Sequence, residues 1–189
     1  MAIDDRRKRE QAARRRLIIT TARTLAETEG WDAVTTRRLS TEIEYSQPVL
    51  YKHFTGMEQI ADAIAIDGFR ELAEVIGAAR SGAGDALART AHAYLDFARD
   101  NPAVYDAMFT RATTLRFADQ DTPPELTAAF AELRKAVGLV AGEQDADALT
   151  EVFWAALHGL VTLGRGGRLR PGYDSERLQL LVEQFTSGD

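Results

Sequence analysis

Apolar side chains recur every three or four residues along most of this chain, which is the spacing of one face of an α-helix. No segment keeps the strict alternation of a half-buried strand, and no internal repeat is visible. The pattern therefore predicts an all-α protein. About nine helices are predicted, at approximately residues 10–29, 36–43, 47–53, 57–80, 85–99, around 105–108, 123–140, 146–163 and 176–186, with 112–122 as the least regular segment.

The stretch 35–54, TTRRLSTEIEYSQPVLYKHF, has the pattern of two short helices joined by a tight turn. Thr36 is predicted to cap the first helix, because a threonine oxygen can accept a hydrogen bond from a backbone N–H one turn later. Leu39 and Ile43 are four residues apart and therefore share one face of that helix. The turn follows, and Ser46 is predicted to cap the second helix.

The second helix of this stretch has a buried side and an exposed side. Pro48 fits only in its first turn, where the missing N–H has no helical partner to lose. Leu50 and Phe54, again four residues apart, form the predicted buried stripe. The outward residues combine amide, aromatic and basic side chains: Gln47, Pro48, Val49, Tyr51, Lys52 and His53. Such a face is typical of a helix-turn-helix whose second helix enters the major groove of DNA.

Formal charge is distributed unevenly along the chain. The whole chain carries −6, but residues 1–56 contain eleven cationic and eight anionic side chains and carry +3, which leaves −9 for the remainder. A basic head on an acidic body is expected when only one end of a protein meets phosphate. The chain has no cysteine, no apolar run long enough for a membrane span and no apolar leader segment, so we expect a cytoplasmic protein that does not enter a membrane.

Residues 17–62 resemble the DNA-binding domain of the TetR family of bacterial transcriptional repressors. The matching strings are T-T-R-R-L at 35–39 and Q-P-V-L-Y-K-H-F at 47–54, preceded by an amphipathic helix and by Gly30-Trp31. Further along, W-A-A-L-H-G at 154–159 resembles a W-x-x-x-H-G signature of one C-terminal subgroup of the family.

This resemblance implies both a domain plan and a mode of action. A helix-turn-helix domain with a basic N-terminal arm would occupy residues 1–56, and a helical ligand-binding and dimerisation domain would occupy 57–189. A homodimer formed through the last two helices would bind a palindromic operator in double-stranded DNA. A small hydrophobic or aromatic effector would release it, because effector and DNA would favour different separations of the two recognition helices.

The resemblance also assigns DNA contacts residue by residue. Arg37 and Gln47 would read base edges, since arginine suits guanine and glutamine suits adenine. Pro48 and Val49 would touch thymine methyl groups. Phosphate contacts are expected from Thr36, Tyr51, Lys52 and His53, and Ser46 completes the predicted set.

Two departures from the family pattern bear on this surface. Glu44 occupies a turn position where the family usually has glycine in a left-handed conformation, at a cost of about 1 kcal/mol, which leaves a reshaped turn as one outcome. Met57 replaces a lysine that usually contacts phosphate. The arginine-rich segment 1–16 could supply that charge as an arm that follows phosphates or enters the minor groove, or it could be a frayed, solvated tail.

The helical body offers a candidate effector pocket and a candidate dimer surface. The proposed pocket lining is Tyr94, Tyr105, Phe109, Trp154 and His158, although apolar stripes of this kind are also ordinary core. The proposed dimer faces are Phe153, Leu157 and Leu160 on one helix and Leu178, Leu181 and Phe185 on the next. The alternative is that both faces are used up within a single chain.

Two other functions compete with a ligand-responsive repressor. One is a helical adaptor, or a regulator without a small-molecule effector. The other is an all-helical enzyme, which would need a converging set of acid, base or nucleophile. No G-x-S-x-G string or phosphate-binding loop is present, and His92 and His158 lack metal-ligand spacing. We therefore expect no enzymatic activity, no metal and no cofactor.

Overall fold

A computed structural model describes residues 2–111, 114–116 and 122–187 of the chain. Within these ranges the regular structure is entirely helical, which confirms the prediction of an all-α protein. The nine α-helices of this described part are α1 Ala2–Glu29, α2 Thr36–Glu42, α3 Gln47–Tyr51, α4 Met57–Arg80, α5 Ala86–Asp100, α6 Pro102–Phe109, α7 Pro124–Val137, α8 Ala146–Arg165 and α9 Asp174–Thr186. A short 3-10 helix, Trp31–Ala33, follows α1.

The main difference from the predicted boundaries is at the start of α1. This helix begins at Ala2, where the apolar periodicity predicted a start near residue 10. Ala2 and the four cationic residues of the added turns are good helix formers, and Asp4 and Asp5 lie in the first turn, where carboxylates favour the helix dipole. Arg6 and Glu10 form an ion pair of 3.4 Å one turn apart. The segment predicted to be least regular, 112–122, lies mostly outside the described residues.

The chain forms two compact units, and the first of them is discontinuous in sequence. It consists of Met1–Gly68 together with Asn101–Asp119. The second consists of Phe69–Asp100 and Gln120–Asp189, so α4 contributes residues to both. The functional division at residue 56 stays a prediction.

The core of the first unit joins the helix-turn-helix to the beginning of α4 and to α6. Its fully or almost fully buried side chains are Ile18, Ala22, Leu25, Leu39, Leu50, Phe54, Ile60, Ile64, Val104, Tyr105 and Met108. Gly68 of α4 lies so close to α6 that an added Cβ would fall 2.5 Å from Val104 Cγ1 and 2.8 Å from Met108 Sδ. Because no side chain fits in that space, the two helices can approach closely only with glycine at this position.

Hydrogen bonds from α1 fix the start of α6. The Glu27 carboxylate accepts from the backbone N–H groups of Ala103 and Val104, both at 3.0 Å. Arg23 donates to the Asn101 side chain at 2.9 Å, and Trp31 Nε1 donates to the Ala103 carbonyl at 3.0 Å. The first N–H groups of a helix have no acceptor within it, so the Glu27 carboxylate supplies the acceptors that α6 itself lacks.

The second unit is a set of packed helices with its own core. Its largest buried side chains include Leu72, Ile76, Leu87, Tyr94, Phe97, Leu133, Val137, Phe153, Leu157 and Leu178. Arg89 of α5 donates to the carbonyls of Ala79, Arg80 and Gly82 and so completes the C-terminal end of α4. No helix in the described residues is long and apolar enough to cross a bilayer.

We expect Glu27→Ala to destabilise the protein by about 1–3 kcal/mol, because two buried N–H groups of α6 lose their acceptor. Glu27→Gln should cost less, since one side-chain oxygen remains. Urea unfolding of the variants at equal protein concentration measures the loss. Glu29→Ala, at an exposed carboxylate two residues along α1, is the control and should cost under about 0.5 kcal/mol. A Glu27→Ala loss no larger than that of the control would contradict the role of this carboxylate.

Candidate nucleic-acid interface

The cap of α2 is one residue earlier than predicted. Thr35 has extended backbone angles, and its Oγ1 accepts a hydrogen bond from the Arg38 N–H at 3.1 Å. Thr36 is instead the first residue inside the helix, so its assignment as the cap is wrong. Two adjacent threonines offer the same chemistry, and the sequence alone does not distinguish them. Thr36, freed from capping, lies half-buried in the first turn.

The turn between α2 and α3 keeps its left-handed geometry although it contains no glycine. Glu44 has φ of 56°, and it is the one non-glycine residue with positive φ in the described part of the chain. The Tyr45 N–H bonds back to the Ser40 carbonyl at 3.1 Å, as in a Schellman helix ending. The turn is therefore not reshaped, and Glu44 bears a strain of about 1 kcal/mol.

The short helix α3 has the predicted polarity. Leu50 and Phe54 are buried, and Pro48 lies in the first turn. Ser46 occupies the cap position, but its hydroxyl makes no capping hydrogen bond, which corrects the predicted role of that side chain. Its carbonyl oxygen instead accepts from the Val49 N–H at 2.9 Å.

The nine predicted contact residues lie on α2, on α3 and at their ends, within one unit. Six of them are exposed: Arg37, Ser46, Gln47, Pro48, Tyr51 and Lys52. The other three are half-buried: Thr36, Val49 and His53. The neighbouring Arg38 is held by Glu29 and Glu42 at 3.0 Å each, so the two arginines of T-T-R-R-L are in different environments.

Positive charge from α1 reaches the end of α3. Burial lowers the pKa of His53, and the nearby charges of Arg14 and Arg15 lower it further. The Arg15 guanidinium lies 4.2 Å from the centre of the Phe54 ring. This unit therefore exposes the amide of Gln47, the apolar Pro48 and the aromatic Tyr51 beside cations on adjacent helices. That combination is suited to contacts with base edges and phosphates.

The five candidate pocket residues are divided between the two units. Tyr105 and Phe109 belong to the first, where their ring centroids are 4.7 Å apart. Tyr94, Trp154 and His158 belong to the second, where Trp154 Nε1 donates to the Tyr94 hydroxyl at 3.1 Å. Burial, and then the charge of Arg165, lowers the pKa of the half-buried His158. Their role in binding an effector stays a prediction.

The apolar faces of α8 and α9 are only partly those predicted for a dimer. Phe153, Leu157 and Leu178 are buried in the core of their own unit, so assigning them to a dimer surface is wrong. Phe185 packs edge-on against Phe153 at 5.0 Å. An open groove does lie between the two helices, lined by Ala156, Leu160, Arg177, Leu180, Leu181 and Gln184.

The outward-facing stripe of α8 was predicted only at Leu160. Val152 is exposed, and Ala156 and Leu160 follow it at four-residue spacing on one stripe. Because α8 has apolar residues on nearly every side, its periodicity does not indicate which stripe faces outward.

Among the described residues no group of three or more His, Cys, Asp or Glu side chains could hold a metal ion.

Two family descriptions match the chain. Residues 18–64 match the bacterial regulatory proteins of the tetR family, and residues 87–185 match the tetracyclin repressor-like C-terminal domain. A relative in Mycobacterium tuberculosis, the uncharacterised HTH-type transcriptional regulator Rv0681, is 35% identical over 159 residues, which are 79% of this chain and 69% of that protein. The HTH-type transcriptional regulator YobS of Bacillus subtilis is 33% identical over 93 residues, 48% of this chain and 49% of its own.

Solved structures share the fold. A protein of unknown function from Rhodococcus sp. RHA1 is 26% identical with a TM-score of 0.73, covering 92% of this chain and 94% of its own. RolR, solved in complex with resorcinol, is 16% identical with a TM-score of 0.63, and the match covers 96% of each chain. The W-x-x-x-H-G string is not tested separately by these matches and stays a prediction.

Proposed function

The chain belongs to the TetR family of bacterial transcriptional regulators, and on that premise we propose that it is a repressor that binds a palindromic operator as a homodimer. The observation that carries this proposal is the exposed face of α2 and α3. The opposite side of the same segment is buried through Leu39, Leu50 and Phe54. Its relatives Rv0681 and YobS are named as HTH-type transcriptional regulators, which favours this function over an enzyme or an adaptor.

In this proposal α3 lies in the major groove. Gln47 and Arg37 are exposed near the starts of their helices, where long side chains can reach base edges. Pro48 and Val49 would meet thymine methyl groups. The phosphates on either side would be bound by Thr36, Ser46, Tyr51, Lys52 and His53, which set the register without reading sequence.

Dimerisation would cover the groove between α8 and α9. Leu180 is 57% exposed and Leu163 is 47% exposed. Two helices that expose apolar side chains on one face commonly pair with their two-fold mates in a four-helix contact. A two-fold dimer would present two α3 helices to successive major grooves, which requires half-sites about 34 Å apart or a multiple of that distance.

An effector would act through the second unit, near Tyr94, Trp154 and His158. The buried Tyr94 hydroxyl already accepts from Trp154, while the neutral imidazole of His158 can donate or accept at pH 7. Such a site would bind an aromatic molecule mainly through shape and burial, with one polar group fixing its orientation. The effector weakens DNA binding only if it binds the DNA-incompetent state more tightly.

Base readers and phosphate anchors should respond differently to substitution. Gln47→Ala or Arg37→Ala should relax base preference at one operator position each, costing about 1–3 kcal/mol there. Lys52→Ala should weaken binding to all sequences alike and reduce the salt slope by about two per dimer, since each protomer loses one phosphate contact worth about 0.9. Competition binding across a set of mutated operators measures base preference. Titration of the intact operator over a range of salt concentrations measures the salt slope. Arg38→Ala is the matched control, because Arg38 is paired with Glu29 and Glu42, and it should leave base preference intact.

Leu180→Glu should convert the dimer to monomers and sharply weaken operator binding, because a carboxylate would be buried in the α8–α9 contact. Sedimentation velocity and operator titration measure the two effects. Leu139→Glu, at a leucine that is 69% exposed in the same unit but outside the groove, is the control and should remain dimeric. A dimeric Leu180→Glu variant would place the interface elsewhere.

A thermal-shift screen of small phenols and other aromatic compounds should find a ligand that stabilises the protein and weakens operator binding about 5–150-fold. Resorcinol is a reasonable first probe, since RolR was solved with it and shares the fold. Trp154→Phe should reduce this response without changing operator affinity. Tyr173→Phe, at an exposed aromatic residue of the same unit, should retain the response. Ligands that stabilise the protein yet never alter operator binding would rule out induction by this site.

A further inference from the structure

The first turns of α1 project beyond the packed part of the helix. Residues 4–17 are all exposed, and among the side chains that the structure describes in this helix Ile18 is the first buried one. At about 1.5 Å per residue, residues 2–17 span roughly 24 Å. A helical segment of this length without a buried face gains little stability from packing. Its role therefore depends on the chemistry of its exposed side chains.

This projecting segment is strongly basic. Residues 1–16 contain seven cationic side chains and three carboxylates and therefore carry +4, within a chain whose total is −6. Arg6 is paired with Glu10 one turn away. The excess positive charge is confined to one short helical segment, which is the footprint expected for a polyanion partner.

The cations are arranged in phase with the buried stripe of α1. Ile18, Ala22 and Leu25 face the core, and steps of three or four residues backward from Ile18 lead to Arg15 and Arg14. Seven residues further back on the same side are Lys8 and Arg7. We call these four the inner stripe: Arg7, Lys8, Arg14 and Arg15. Arg9 and Arg16 lie on the opposite side, and the carboxylate of Asp4 lies at the far end of the inner side.

Two members of the inner stripe, Arg14 and Arg15, lie beside the end of α3. The Arg15 guanidinium packs on the Phe54 ring at 4.2 Å. Arg14 and Arg15 are also close enough to His53 for their charges to lower its pKa. Since His53 is one of the proposed phosphate contacts, the cationic side of α1 continues the surface formed by α2 and α3.

We propose that the inner stripe is a second DNA-contact element, which binds the phosphate backbone of the duplex next to the site that α2 and α3 read. This inference rests on the proposed function. The segment is helical and about 10–12 Å wide with its side chains, whereas the minor groove is about 6 Å wide, so it follows the backbone and does not enter that groove. It also supplies the cationic contact that Met57 at the start of α4 cannot make.

A pair of double variants tests this arrangement. Arg7→Gln with Arg14→Gln removes two charges from the inner stripe, and Arg9→Gln with Arg16→Gln removes two charges from the opposite side of the same helix. Arginine and glutamine have similar helix propensity, and far-UV circular dichroism verifies that both variants keep α1 helical. Arg7→Lys with Arg14→Lys keeps the charge and serves as the rescue variant.

The readout is operator affinity from about 0.05 to 0.3 M salt, together with a hydroxyl-radical footprint. Each phosphate contact contributes about 0.9 to the slope of log affinity against log salt, so the inner variant should lose about three to four units per dimer. Its affinity should fall at least about tenfold at 0.15 M salt, and backbone protection should disappear outside the α3 sites. The outer and lysine variants should stay near wild type in slope and footprint.

The outcomes separate this inference from the function on which it rests. A wild-type protein that binds no duplex selected from a random pool overturns both. Palindrome binding with equal slopes for the inner and outer variants overturns the inner stripe alone, since the charge would then act without regard to position. A footprint unchanged in the inner variant would do the same.

Discussion

The first unit depends on a carboxylate in α1 that accepts hydrogen bonds from the first backbone N–H groups of α6. Glu27 accepts from two backbone N–H groups that lie 76 and 77 residues further along the chain. With the Arg23 and Trp31 bonds, four hydrogen bonds join α1 and the 3-10 helix to residues 101–104. A displacement of α6 must therefore break these bonds or carry α1 with it. Since α1 also carries Arg15 against Phe54, α6 and the end of α3 are linked through one helix.

Close packing adds a second constraint to the same helix. Val104 and Met108 of α6 leave no room for a side chain at Gly68 of α4, so α6 cannot shift toward α4 without a clash. Hydrogen bonds to α1 on one side and close contact with α4 on the other restrict α6 to small movements. In packed interfaces of this kind, movement occurs between discrete arrangements, which is the behaviour that an effector-controlled repressor requires.

Amphipathic helices could be predicted from the sequence, because each buries one stripe at regular spacing. The start of α1 could not, since its residues 4–17 are all exposed and form no buried stripe that would reveal a helix. Of the six residues predicted to point outward from α3 and its end, four are exposed, because Leu50 and Phe54 identify the opposite side, whereas Val49 and His53 are half-buried. The inclusion of α6 in the first unit was missed, because it rests on contacts that periodicity does not report.

The remaining differences arise where several choices have similar energy. Thr35 and Thr36 are chemically identical caps, and only the backbone path decides between them. On α8, apolar residues cover most of the circumference, so the sequence did not show that Phe153 and Leu157 face inward. At Glu44, local preference opposes the left-handed turn, and the bond from Tyr45 to Ser40 together with the packing of α2 and α3 outweighs it. Strain of this size persists only where the surroundings fix the backbone.

Charge and shape have separate tasks in the proposed interface. The cations of α1 attract any duplex, because phosphate is the same in every sequence, and they raise affinity without raising specificity. Gln47 and Arg37 distinguish bases, but each does so only once α3 is held in register. The −9 carried by residues 57–189 disfavours approach of the remaining chain to DNA. A basic helix beside the recognition helix therefore increases the fraction of encounters in which α3 meets the groove, and sequence then determines which of those encounters persist.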